Sequence, residues 1–359
     1  MISREDLVCL WFDYNGYTFA KLERILKGFD KIEDVFNKKL LKIAVFDSDL
    51  LDIKIKLLNL DESEFRQKVE EEFFKFEISA VTYVSKDYPE KLKVIADPPL
   101  VLYTKGDKSL LNKKSISIVG TRTPSEYGKI VCEKFTKELS SAGLVTISGL
   151  AFGIDAIVAE STLEVGGKTI AVLGGGLDSI YPASNTNLAK RVEENGLLIS
   201  EYRIGVKPVS YSFVNRNRIV SALGLGTLII EAGKKSGTMT TARFAIEQSR
   251  ELFVIPGNIY SKTSEGTNYL IDEMPDTFTI SPERILSRLK IKRIVQPKSS
   301  VQVGLDDNSI LNLLGNGEKS FDELSENLEL KPAELSSELV KLEMFGLIKI
   351  GDDGYYYKK

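Results

Sequence analysis

The chain has 359 residues, 43% of them hydrophobic, with 48 Lys/Arg against 51 Asp/Glu for a formal charge of −3. This is globular composition, long enough for two or three domains, and no apolar run reaches the about 18 residues of a membrane span, so a soluble cytosolic chain is expected. Histidine is absent, which excludes Ser-His and Cys-His nucleophiles and the commonest metal ligand, and Cys9 and Cys132 lack CxxC spacing, which excludes a zinc site or a disulfide framework.

Residues 1–77 place apolar positions at helical spacing in LVCLWF, FAKLERILKGF and FRQKVEEEFFKF, predicting a small helical domain of the SAM or helix-hairpin-helix kind. From 78 to 290 the pattern becomes short apolar runs separated by helical stretches: AVTYV, LVLYT, SISIVG, LVTISG, TIAVLGG, LLISEY, TLIIEAG and ELFVIPG. Strands alternating with helices predict an α/β domain with a Rossmann-like, doubly wound, mostly parallel sheet. Residues 291–305 are basic with Pro and Ser, and read as a linker. In 306–359, SILNLLG, FDELSENL and AELSSELVKLEMFG predict three helices, and LIKIGDDGYYYKK predicts a hairpin around Asp353-Gly354, together a winged helix. Its third helix, Lys331 to Phe345, sets Lys331 and Lys341 against Glu334, Glu338 and Glu343, which favours protein contact or regulation over reading a DNA groove.

Charge divides along the same boundaries. Residues 1–78 carry 13 Lys/Arg and 17 Asp/Glu, residues 306–359 carry 6 and 12, and residues 79–305 carry 29 and 22. Polyanion binding therefore belongs to the middle.

In an open parallel sheet, ligands bind where strand ends meet helix N-termini, so the strand-to-helix turns carry the expected chemistry. In SISIVGTRTPSEYG, Gly120 allows the turn, Thr123-Pro124-Ser125-Glu126 starts a helix, and Arg122 stands ready for a phosphate. In SGLAFGIDA, Gly149 and Gly153 permit close approach, which packing alone also explains. VLGGGLDSIYP brings Gly174 and Gly175 into a run of three glycines that is either an anion nest or a loose loop. SFVNRNRIVSAL sets Arg216 and Arg218 around Asn217 at an expected helix start, as a phosphate clamp. EAGKKSGTMTTARF offers Lys234, Lys235, Ser236, Gly237 and Thr238 ahead of another helix. Neither GxGxxG nor a Walker loop is present, and no cofactor is expected. Repeated phosphate sites along one edge suit a nucleic-acid strand better than a single nucleotide. Phe152, Tyr181 and Phe213 in these loops are candidates to stack on bases, or simply to anchor the loops.

At these residues the sequence resembles the DNA processing protein A (DprA, also called Smf) family. The resemblance runs from YPEKLKVIADPPLVLYTKGD to NYLIDEM, with IVGTRTPSEYG, SGLAFGIDA, AVLGGGLDSIYP, NRNRI, SGTMTTAR and VIPG in the family's order. It implies a non-enzymatic, single-stranded-DNA-binding homodimer of the bacterial cytosol that helps load the recombinase RecA on incoming DNA in natural transformation. It carries DNA contact onto Arg122, Arg216, Arg218, Ser236 and Gly237. Where the family usually reads SGLARGIDAAAHRGAL, this chain has Phe152, Ala159 and Glu160, and it has Asn215 where a further Arg is common.

Two other readings stay open. One is a phosphoribohydrolase similar to the LOG family, with Glu231 as the group to test, although EAGKKSGTMTTARF lacks that family's PGG and positioned Glu. The other is a sensor of a small nucleotide with the acidic tail as its output.

Overall fold

The computed structural model describes residues 2–291 and 309–358, apart from 316, 329, 331, 345, 346, 352 and 353. The chain opens with α1 (Arg4–Tyr14), α2 (Phe19–Leu26), α3 (Lys38–Ile43), α4 (Leu51–Leu58) and α5 (Glu62–Phe76). Ser3 caps α1 by accepting from Asp6 N at 3.0 Å, and Asp61 caps α5 by accepting from Ser63 N and Glu64 N. In α1 the run Leu7 to Phe12 is buried all round, which marks a helix with neighbours on every side. Other helices cover one flank and the sheet covers the other.

The sheet is built from β1 (Ser79–Thr82), α6 (Glu90–Lys93), β2 (Val101–Gly106), β3 (Ser115–Val119), α7 (Glu126–Ser141), β4 (Val145–Ser148), α8 (Ile154–Glu164), β5 (Thr169–Leu173), α9 (Thr186–Asn195), β6 (Leu197–Ser200), α10 (Ser210–Leu223), β7 (Gly226–Ile229), α11 (Gly237–Glu247) and β8 (Glu251–Val254), followed by α12 (Glu265–Glu273) and α13 (Pro282–Arg288). The strand order is β1-β2-β6-β5-β4-β3-β7-β8. Strands β3 to β8 pair in parallel, and every residue of SISIV and TIAVL is buried, as a sheet covered on both faces requires.

The first two strands depart from the βα alternation. β1 pairs antiparallel with β2, and β2 antiparallel with β6. The only α-helix between β1 and β2 is the four-residue α6, so no crossover helix carries the chain across a sheet face to a parallel position and it turns back instead.

Helix α1 shares one apolar core with the sheet, where Leu7, Leu10 and Phe12 join Val101, Tyr103 and Leu198. Polar links reinforce the seam: Thr82 donates to Asp6 at 2.6 Å, Tyr103 to Asp13 at 2.6 Å, and Arg203 to the carbonyl of Tyr14 at 2.9 Å. Residues Met1–Ile294 accordingly form one compact unit, with the helical segment 1–77 part of it.

The second unit, Val295–Lys359, holds α14 (Ser309–Leu314), α15 (Phe321–Leu328), α16 (Pro332–Met344) and the antiparallel pair β9 (Ile348–Ile350) and β10 (Tyr356–Lys358). Its core gathers Ile310, Leu311, Leu324, Leu335, Leu339 and Leu342, in the helix-helix-helix-hairpin order of a winged helix. Asp353 of the expected turn, Lys331 and Phe345 at the ends of the expected third helix, and residues 292–305 of the expected linker lie outside the described residues. Among the described residues no helix is long and apolar enough to cross a membrane.

From β3 the chain runs outward through β4, β5 and β6 on one side, and later through β7 and β8 on the other. The order reverses between β3 and β7. A crevice opens there, at the carboxyl ends of the strands, because the connections on either side leave in opposite directions.

Candidate nucleic-acid interface

The β3–α7 turn is the first wall of that crevice. The helix cap is Ser125, two residues later than the expected Thr123: its Oγ accepts from Gly128 N at 3.1 Å. A buried carboxylate sets the shift. Ser125 donates its N–H to Glu231 Oε2 at 2.9 Å and its hydroxyl to Oε1 at 2.6 Å, which holds it outside the helix. Residues 121–124 are left as an irregular loop that presents Arg122 to solvent. Arg122 makes no ion pair with a described residue, and its guanidinium lies over the ring of Phe213 at 5.8 Å.

Arg216 forms the floor. It is 4% exposed, and its Nη1 donates to the carbonyls of Gly149, at 2.7 Å, and Val172. A Cβ on Gly149 would overlap this guanidinium, so the close approach that the glycine allows is made by a side chain of the protein itself. Asp155 is also buried and accepts from Gly149 N at 3.1 Å. Burial pushes the Asp155 carboxyl up and the Arg216 guanidinium down from their ordinary values, and each opposes the shift of the other as its counter-charge. The Nε of Arg216 has no hydrogen-bond partner among the described residues.

Arg218 corrects the expected clamp. Both arginines sit in the interior of α10, six and eight residues after Ser210, and neither is at its start. Two residues apart on a helix, they face different ways. Arg218 turns away from the crevice, 6% exposed, to a two-pronged pair with Glu201 at 3.0 and 2.7 Å and a contact with Asp97 at 3.3 Å. Burial alone would lower this guanidinium, but the Glu201 and Asp97 carboxylates with Tyr202 together raise it and the group sits above its ordinary value. Its charge is already met within the protein.

The glycine run is also corrected. None of Gly174, Gly175 and Gly176 has the left-handed backbone that a nest requires. Gly174 is where it is because a Cβ would strike the Phe213 ring, and Gly175 because a Cβ would strike Pro208. Gly174 is thus a thin wall behind the aromatic, which also meets Tyr181 with ring centres 5.2 Å apart.

The last wall is the start of α11. Ser236 takes the cap position without using its side chain as a cap, and its Oγ is buried without a partner among the described residues. The first-turn N–H groups of a helix have no acceptor within it and attract anions. Asn217 reaches across from α10 to the carbonyl of Gly237 at 3.4 Å. Lys234 and Lys235 stand exposed just ahead, Lys234 over the ring of Tyr269 at 5.2 Å.

A cavity of about 530 Å³ results, lined among others by Gly120, Arg122, Arg216, Asn217, Ser236, Gly237 and Thr238, so half of the expected residues do converge. Gly149, Phe152, Gly174, Gly175, Arg218, Lys234 and Lys235 do not line it. Phe152 is 45% exposed in the neighbouring β4–α8 loop. Asp155, Ser210 and Thr241, absent from the expected set, also line it. Asp155 had a signal: an acid in the first turn of a helix, directly after a glycine-rich turn. Glu231, the group on which the hydrolase alternative turns, is 2% exposed and faces a different cavity, beside Ser125 and Pro256.

The family model of DNA recombination-mediator protein A matches residues 79–290, and that of the DprA winged helix domain matches residues 296–354. The chain belongs to the DprA/Smf family. DNA processing protein DprA of Bacillus subtilis is 41% identical over 215 residues, covering 58% of this chain and 72% of that protein. Protein Smf of Escherichia coli is 35% identical over 281 residues, covering 76% and 75%. Among solved structures, DprA from Streptococcus pneumoniae matches with a TM-score of 0.68 at 30% identity, over 80% of this chain and 98% of that one. DprA from Helicobacter pylori, whose structure is described for its single-stranded DNA binding mode, matches with a TM-score of 0.55 at 33% identity, over 60% and 96%. Against the usual DprA pattern, Ala159 is buried in the core that α8 shares with α9, Glu160 is on the surface, and Asn215 donates to Glu201 at 3.2 Å. None of these three lines the DprA cavity.

Proposed function

We propose that the protein is a non-catalytic binder of single-stranded DNA. The observation that carries this is the meeting, in one cavity at the switch point of the sheet, of an exposed guanidinium, an aromatic ring and a helix N-terminus with a hydroxyl, the guanidinium having no ion pair and the hydroxyl no hydrogen bond among the described residues. Phosphates of the strand lie on Arg122 and the first turn of α11, and a base stacks on Phe213. The description of the Helicobacter pylori relative supports the same ligand. The family resemblance further supports a homodimer that delivers the strand to RecA.

Anisotropy of a labelled oligothymidylate, competed by unlabelled duplex at several salt concentrations, tests the ligand class. Affinity falls steeply with salt, and the single strand competes better than the duplex; salt-independent binding rejects the proposal. Sedimentation of the free protein and co-precipitation with RecA test the dimer and the partner. The size of the cavity favours one competing reading, a mononucleotide sensor. Calorimetry with a mononucleotide against an oligothymidylate separates the two, since a sensor binds the mononucleotide as tightly as the strand.

A further inference from the structure

We propose that Glu231 is the positioning residue of the strand-binding cavity, holding the Arg122 loop at both of its ends. This rests on the strand-binding reading above. At one end Thr121 donates its N–H to the backbone carbonyl of Glu231 at 2.8 Å. At the other, Ser125 donates its N–H and its hydroxyl to the Glu231 carboxylate at 2.9 and 2.6 Å. Between these ties stand only Arg122, Thr123 and Pro124, so one residue of the β7 end sets where the guanidinium stands over Phe213.

The same carboxylate accepts from Thr263 Oγ1 at 3.0 Å, which fastens the loop after β8 to the same point. Glu231 is 2% exposed and forms no ion pair with a described residue. A buried carboxylate without a cation is costly unless its acceptor capacity is used, and here three donors use it, with the N-terminus of α7 adding a favourable field. Gly128, in the first turn of α7, leaves the room: a Cβ there would overlap the carboxylate. A residue needed only to fill space would be apolar. One that must fix two loops relative to each other needs two oxygens on a short stem.

The test compares Glu231→Ala, Glu231→Gln, Arg122→Ala and the double variant Glu231→Ala/Arg122→Ala in the full chain. One readout is amide exchange of residues 121–125 without DNA, and the other is the salt slope of oligothymidylate binding. Glu231→Ala is expected to speed exchange in the loop and weaken binding about tenfold, the order of one lost charge-assisted contact. Its slope falls by about 1, as for Arg122→Ala, and the double variant loses nothing more than Arg122→Ala alone. Glu231→Gln, which keeps an acceptor for the Ser125 N–H, restores most of both. Where Glu231→Ala does not fold, Ser125→Ala decides: it removes one tie and weakens binding in the native background but not in Arg122→Ala. Additive losses, or faster loop exchange with unchanged binding, overturn the positioning role. A native chain without a salt slope overturns the strand-binding reading instead, while loop exchange still reports on the anchor.

Discussion

Three arginines with the same apparent signature hold three different posts. Arg122 is exposed and pairs with no described carboxylate, Arg216 pins backbone carbonyls at the cavity floor, and Arg218 is neutralised by Glu201 and Asp97. Replacing Arg122 by Ala is therefore expected to lower the log-log salt slope of DNA binding by about 1 without affecting stability. Replacing Arg218 by Ala does the reverse: it strands a carboxylate that is mostly buried, lowers stability by about 3–5 kcal/mol in urea unfolding, and leaves the slope unchanged. Phe213→Ala is expected to lose about 1–3 kcal/mol of affinity with no change in slope, read from the same titrations. The sequence showed which residues sit near strand ends but not which way each one points. The partners that decide it, Glu201 and Asp97 for Arg218 and Gly149 for Arg216, are 17 to 121 residues away in the chain.

At the scale of elements, the eight sheet strands were legible because each is a short apolar run, and doubly wound topology followed from the helices between most of them. Two features were not. The antiparallel entry of β1 and β2 depends on the absence of a crossover, which apolar runs do not display. The start of α7 moved from Thr123 to Ser125 because of a carboxylate 106 residues downstream, a tertiary bond overriding a good local cap. The start of α11 was readable from Ser236-Gly237-Thr238 alone, since a helix end with free N–H groups is a local property and needs no remote partner.

At the scale of the whole molecule, the seam between the N-terminal helices and the sheet carries an ionisable group in an unusual state. Burial pushes the Asp13 carboxyl up from 3.8 to about 6, outweighing the Tyr103 hydroxyl and the Arg203 charge, which favour ionisation, while Glu201 adds to the rise. Because the folded-state value lies above the unfolded one, the fold holds more protons between them. The contribution is therefore complete below about pH 4 and is lost as the pH rises through about 6. Asp13→Asn, which keeps an acceptor for Tyr103, is expected to gain stability over the native chain as the pH goes from 4 to 7. Urea midpoints across that range check it, and parallel curves for the two chains count against it.

The cavity is assembled from turns after β3, β4, β5, β6 and β7, and β3, whose following loop bears Arg122, completes its hydrogen bonding only when β7 arrives more than a hundred residues later. During synthesis on the ribosome, the cavity thus lacks its last wall until α11 has emerged. On the proposed reading, a nascent chain acquires its hold on a strand only near the end of the sheet's synthesis.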